Sequence, residues 1–254
     1  VEASFPVGFP TAEGDLFELT FTAWTDPAEP SDYGFMTLRL DDNGEDVDGD
    51  GDEYENFFRQ PEILTEEPRT FTKRVAIYHR ADHQQDRSRF LFQLGASDGL
   101  SHQGTIYIDD VSLERIESPE SFDTVVTSAP MRTAVLQSVR EARDTDAGEK
   151  RFSDLTESEV TAYHLAAIRW DLEFNDDHFT EAGNSVSDFD LSTVDLSYFG
   201  GLMSFEADDV PVTDGDMQTL AGLTQLRLVQ IGNTTGNSGS FTGVTDPTPI
   251  VTLR

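Results

Sequence analysis

The 254-residue chain carries 49 Asp and Glu against 17 Lys and Arg, a formal charge of −32. Such a balance supplies no basic stripe for a phosphate backbone, which argues against a nucleic-acid partner. No apolar run reaches membrane-spanning length, and the absence of cysteine removes disulfides, thiolate nucleophiles and Cys-type zinc sites.

Residues 1–117 predict strands separated by acidic or Gly/Pro turns. In Phe17 to Trp24, Phe17, Leu19, Phe21 and Ala23 fall on one face, with Glu18, Thr20, Thr22 and Trp24 on the other. Met36, Leu38 and Leu40 alternate with Phe35, Thr37 and Arg39. Phe71, Val75 and Ile77 mark a third strand, Phe90, Phe92 and Leu94 a fourth, and Thr105 to Leu113 a fifth. Phe21, Leu38, Phe92 and Val111 are expected inside the core. Ser118 to Ser121 then reads as a joint.

Beyond it, residues 118–254 predict an α+β domain, smaller than the sandwich, with helices over about 130–143 and 156–175 and a β-rich C-terminal part, its strands clearest at Leu226 to Ile231 and Ile250 to Leu253. Pro130 stands near the first turn of the first helix, and Met131, Val135, Val139 and Ala142 share a face. Thr156-Glu157-Ser158-Glu159 is a capping box. The helix it opens would carry Val160, Tyr163, Ala167, Trp170 and Phe174 along one stripe. No internal repeat is visible. The expected fold is therefore mainly β, an N-terminal antiparallel β-sandwich followed by this α+β domain.

Thr105-Ile106-Tyr107-Ile108-Asp109-Asp110-Val111-Ser112-Leu113-Glu114 resembles the closing strand of the jelly-roll carbohydrate-binding modules of families four and nine. Ala12-Glu13-Gly14-Asp15 with Leu16 to Phe21, then Phe71 to Ile77 and Arg89 to Gly95, fall in that family's order. The early strands of the family have no counterpart, since only Val1 to Pro10 precede the first match. Either the chain begins part-way through a larger protein, or these strands are expected from elsewhere in the fold or from a neighbouring molecule. The resemblance implies a jelly roll that binds glycan without chemistry. On the strand reading, the sugar-facing side would hold Trp24, Phe35, Arg39, Arg89 and Gln93. Packing of Trp24 and Phe35 under a loop or a neighbouring subunit is the competing use of those rings.

Calcium is the one cofactor the chain suggests. Asp46, Asp48, Asp50 and Asp52 alternate around turn glycines, as a calcium loop requires, and equally as an acidic solvated hairpin would. Asp109 is a second ligand candidate, because the resembling modules hold a structural calcium with the Asp of this strand. His79 and His83 stand four apart without a zincin Glu, and Asp176-Asp177-His178 has the composition of an acid–base pair or of a charged helix end.

Strong self-repulsion opposes a compact state in dilute salt, whereas near-molar salt shortens the Debye length to about 3 Å. Eighteen Phe, two Trp and six Tyr argue against an acidic disordered chain. The expected protein is a halophilic, extracellular, non-catalytic surface component of a haloarchaeon or its virus, displayed on a cell or virion as a turret, spike or fibre. Its partners would be cell-surface glycan and further subunits, in a homo-oligomer or a mixed assembly. The alternatives are the glycan-targeting module of a secreted halophilic glycoside hydrolase and, ranked after it, an unfamiliar enzyme in residues 118–254.

Overall fold

The computed structural model describes residues 2–8, 11–12, 14–27, 34–42, 56–77, 88–94, 104–142, 152–168, 171–223, 226, 228–232 and 252–253. The chain divides into two compact units, Val1–Glu117 and Ser118–Arg254.

The alternation read from the N-terminal residues becomes two antiparallel sheets. One contains β1 (Glu2–Pro6), β6 (Ser88–Leu94), β3 (Gly34–Asp42) and β4 (Asn56–Leu64), in that spatial order. The other places β2 (Leu16–Pro27) between β5 (Arg69–Ala76) and β7 (Gly104–Arg115). Phe17, Leu19, Phe21, Met36, Leu38, Phe90 and Phe92 fill the space between them. At the centre Phe21 stacks on Phe71 with centroids 5.0 Å apart, and meets the ring of Phe92 edge-on at 5.3 Å. Phe21 and Phe92 come from different sheets, so their contact ties the sandwich together.

Two strands were not expected. β1 is short, and β4 contains Pro61 and an inward Glu62, which break the apolar alternation that marks the others.

One expected core residue is displaced. Val111 is 42% exposed, because β7 carries an extra residue where its pairing with β2 shifts between Thr20 and Thr22. Asp110 takes φ of 52° there, a left-handed conformation that Asp tolerates better than most residues. A one-residue bulge reverses the inward set. Ile106 and Ile108 face the core before it, and Leu113 after it.

The second unit has a different plan. Its first helices are α1 (Phe122–Val125) and α2 (Ala129–Glu141), the latter with Pro130 in its first turn and Met131, Val135 and Val139 fully buried. The single helix expected over 156–175 does not form. A 3₁₀ turn at Glu157–Glu159 ends at Val160, whose backbone is extended, and Thr161 opens the short α3 (Ala162–Ala166) with a second capping box closed by His164. Asp171–Phe174 is then a strand, β8, with Leu172 and Phe174 buried and Asp171 and Glu173 exposed. Over those four residues a period of two outcompetes the helical stripe, because parallel partners are available on the sheet.

Those partners are β9 (Ser204–Ala207), β10 (Leu228–Ile231) and β11 (Thr252–Leu253), reached through α4 (Asp177–Thr180) and α5 (Asp214–Ala221). All run parallel, with Asp171, Ser204, Leu228 and Thr252 side by side. Leu172, Phe205 and Val229 form one fully buried row. Between β8 and β9, Asp190-Leu191-Ser192 and Asp195-Leu196-Ser197 make two like turns. Each Asp carboxylate accepts the amide of the Ser two residues on, at 2.9 and 3.1 Å, and each Leu is buried. This α+β unit is the longer of the two by sequence, not the smaller. Among the described residues no helix is long and apolar enough to cross a membrane.

Candidate functional site

In a sandwich, "opposite the core" means two separate faces, and the residues predicted to meet sugar divide between them. On the sheet of β1, β6, β3 and β4, Arg39, Arg89 and Gln93 alternate with core residues and point outward. Leu91 and Thr37 share that side and are each only 1% exposed, so this face is covered along those rows. Phe35 lies in β3, and its side chain is outside the described residues. Trp24 is on the other sheet altogether. The structure therefore does not bring the five together.

The outer face of β5–β2–β7 is the one that presents an ordered surface. Residues directly opposite one another share a side, and the register gives successive rows. Arg74, Glu18 and Glu114 form the first, Thr72, Thr20 and Ser112 the second, and Thr70, Thr22 and Asp109 the third. Trp24 and Tyr107 follow, then Asp26 and Thr105. The Trp24 and Tyr107 rings lie nearly parallel, 11° apart, with centroids separated by 5.0 Å. Tyr107 is 40% exposed. Thr22 and Thr70 join their hydroxyls at 3.2 Å. The one cation in the rows, Arg74, reaches Glu18 at 3.5 Å at the far end.

Tyr107 was not singled out from the sequence. The available signal was that it shares the outward set of the closing strand with Asp109, two residues away. Pairing with Trp24 depends on register between strands more than eighty residues apart, which periodicity does not contain.

Asp109 is exposed, and its Oδ1 accepts the amide hydrogen of Asp110 at 2.8 Å. Among the described residues no three His, Asp or Glu side chains gather into a metal cluster. By position Asp109 lies on the hydroxyl-and-aromatic face of β5–β2–β7. Asp46, Asp48, Asp50 and Asp52 lie outside the described residues, as do His79 and His83.

The second unit holds a cavity of about 640 Å³ lined by Ser121, Asp123, Arg132, Thr156, Glu157 and Ser158 among others. Arg132 Nε donates to Glu157 Oε1 at 2.8 Å, and its Nη1 donates to the carbonyls of Val126 and Thr127. The Ser121 hydroxyl, 2.5 Å from Asp123 Oδ1, holds that carboxyl below its usual range. Through Arg132 the cluster braces the end of α1 against α2. His178 is only 4% exposed, with Nε2 3.4 Å from Glu141 Oε2, and so packs under α2 rather than facing a substrate.

No family model matches the chain, and no curated protein matches it. Solved structures resemble it in part, two of them as follows. One, described as "CBM4 structure and function", is 19% identical, with 45% of this chain and 82% of that one covered and a TM-score of 0.31. The other is the N-terminal cellulose-binding domain of the Cellulomonas fimi β-1,4-glucanase C, 23% identical, covering 46% and 78%, with a TM-score of 0.30.

Proposed function

We propose that the chain is a non-catalytic surface protein that contacts glycan through the outer face of β5–β2–β7. The observation that carries this is the Trp24–Tyr107 pair standing beside rows of Thr and Ser hydroxyls. A pyranose offers a face of C–H groups and a rim of hydroxyls. Aromatic rings take the first, and hydroxyls that both donate and accept take the second. The face is an open sheet surface rather than a cleft that excludes water, which suits holding a polymer more than transforming it. The charge of −32 supports display in concentrated salt, on a cell surface or a virion, where that charge is screened.

Affinity electrophoresis and calorimetry against soluble polysaccharides in about 2 M salt test the reading. Tyr107→Ala or Trp24→Ala should weaken binding about tenfold, with circular dichroism unchanged. A parent protein that binds nothing in a panel of neutral, basic and acidic glycans overturns it. So does a glycan held equally well by both variants.

A further inference from the structure

Charge is unevenly spread over the same face. Along the strands the aromatic pair is bracketed by carboxylates, with Asp26 two residues beyond Trp24 on β2 and Asp109 two residues beyond Tyr107 on β7. Same-face neighbours at that spacing stand about 7 Å apart, within reach of one bound sugar. The two rows behind them are almost wholly hydroxyl, carrying Thr70, Thr22, Thr72, Thr20 and Ser112 with Asp109 as their single charge. Arg74 is six residues along from the aromatic row and is already paired with Glu18. Among the described residues of these rows, the neighbourhood of the rings is therefore anionic with no opposing cation.

The Asp109 carboxylate is also oriented. Its Oδ1 is taken by the Asp110 amide in the bulge, where Asp110 adopts φ of 52°. A flat ring has negative potential on its face, and a carboxylate beside it reinforces the attraction for a cation.

We infer that the glycan is built from amine-bearing pyranoses, with the sugar ring against Tyr107 and Trp24 and its ammonium directed to Asp109. The inference rests on the glycan reading above and adds the class of sugar. Three features of such a unit are matched at once: the C–H face by the rings, the hydroxyls by the Thr rows, and the ammonium by the carboxylate. Uronic and sulfated glycans meet like charge at the same place, which excludes them by repulsion. Net charge alone would favour any polycation, so the decisive quantity is where the preference originates.

The test uses the full chain with β-1,4-linked glucosamine oligomers and their fully N-acetylated counterparts of equal length, at mildly acidic pH and fixed high salt. The two probes share ring and linkage and differ in the ammonium. The amine form should bind about tenfold more tightly. Asp109→Asn should reduce that ratio to about threefold or less, while Glu181→Gln, an equal change in net charge at an exposed residue of the second unit, leaves it intact. Equal affinity for the two oligomers overturns the amine assignment and leaves glycan binding standing. A ratio that falls equally in both variants assigns the preference to bulk charge and overturns it too. Binding of neither oligomer, nor of any other polysaccharide, removes the glycan reading itself.

Discussion

Lys73 Nζ lies 2.6 Å from Glu62 Oε1 between the two sheets of the sandwich, with the side chains 5% and 0% exposed. One of only two lysines in an acidic chain is therefore spent in the core. Register explains how. Lys73 is opposite Leu19 and Glu62 opposite Met36, so both point inward, from β5 and β4 respectively. Among the described residues neither Glu62 oxygen accepts a well-aligned hydrogen bond, so this carboxylate depends on the ammonium charge. Lys73 also lies 6.0 Å over the Phe71 ring.

Removing one partner leaves an uncompensated buried charge. Lys73→Met should cost about 3–5 kcal/mol, while the double change Lys73→Met with Glu62→Leu recovers most of it. Urea unfolding in high salt measures both. A double variant no more stable than the single one would show that the pair does more than satisfy itself.

Salt acts elsewhere. The net charge of −32 sits at long range in dilute buffer, where the Debye length at 0.01 M is about 30 Å, and is screened near 1 M, where it is about 3 Å. Dilution from about 2 M to about 0.01 M should therefore unfold the chain cooperatively, followed by circular dichroism. The buried Lys73–Glu62 pair is shielded from ions, so Lys73→Met should lower stability by a similar amount at every salt concentration that supports folding. Ellipticity that stays constant down to millimolar salt contradicts the screening argument.

In the second unit Asp216 is a heavily used carboxylate. It is 3% exposed, and accepts the Leu191 amide at 2.8 Å, the Thr213 amide at 2.8 Å and the Thr213 hydroxyl at 2.6 Å. It thereby closes the capping box of α5 and ties that helix to the turn at Leu191. Asp216→Ala leaves those donors buried without an acceptor and should cost about 1–3 kcal/mol. The loss should appear in the thermal transition of the second unit, with glycan binding by the first unchanged.

The sandwich was legible because its strands alternate cleanly. Phe17 to Trp24 and Met36 to Leu40 announce both a strand and its inner face, and the structure places them so. β4 was hidden because an ion pair occupies the inward position that an apolar residue would mark, and Val111 was misplaced because a bulge is silent in a periodic pattern. The parallel sheet was legible only in part: Leu226 to Ile231 and Ile250 to Leu253 read as β runs and hold β10 and β11, whereas β8, β9 and the parallel pairing were hidden. Its strands are four residues or fewer, and Leu172 and Phe174 fit a helix stripe as well as a strand. Only neighbours distant in sequence decide between those. The candidate site was half legible: Trp24 and Thr22 follow from alternation, but their companions Tyr107, Thr70 and Asp109 are set by register.

Register also places Glu173 directly beside Glu206 on the outer face of the parallel sheet, with Asp171 next to Ser204. Like charges in adjacent positions oppose the pairing. Burial raises the Glu206 pKa, with further contributions from Asp171, Glu173 and Asp208, and burial likewise raises that of Asp171. A carboxyl whose folded pKa lies above its unfolded one binds protons more readily when folded. Stability therefore falls as pH rises through the window between the two values, and is regained on acidification. Other groups act in the opposite sense. Burial lowers the His164 pKa, and Ser121 and Thr156 lower those of Asp123 and Glu159, so each of these contributes stability that is lost as pH falls. The sheet's share is isolated by comparison. Glu206→Gln should stabilise the second unit near pH 7 and leave it almost unchanged near pH 4, so that the gap in thermal midpoint between variant and parent closes on acidification. A gap that is constant with pH, or that widens as pH falls, contradicts repulsion within the sheet.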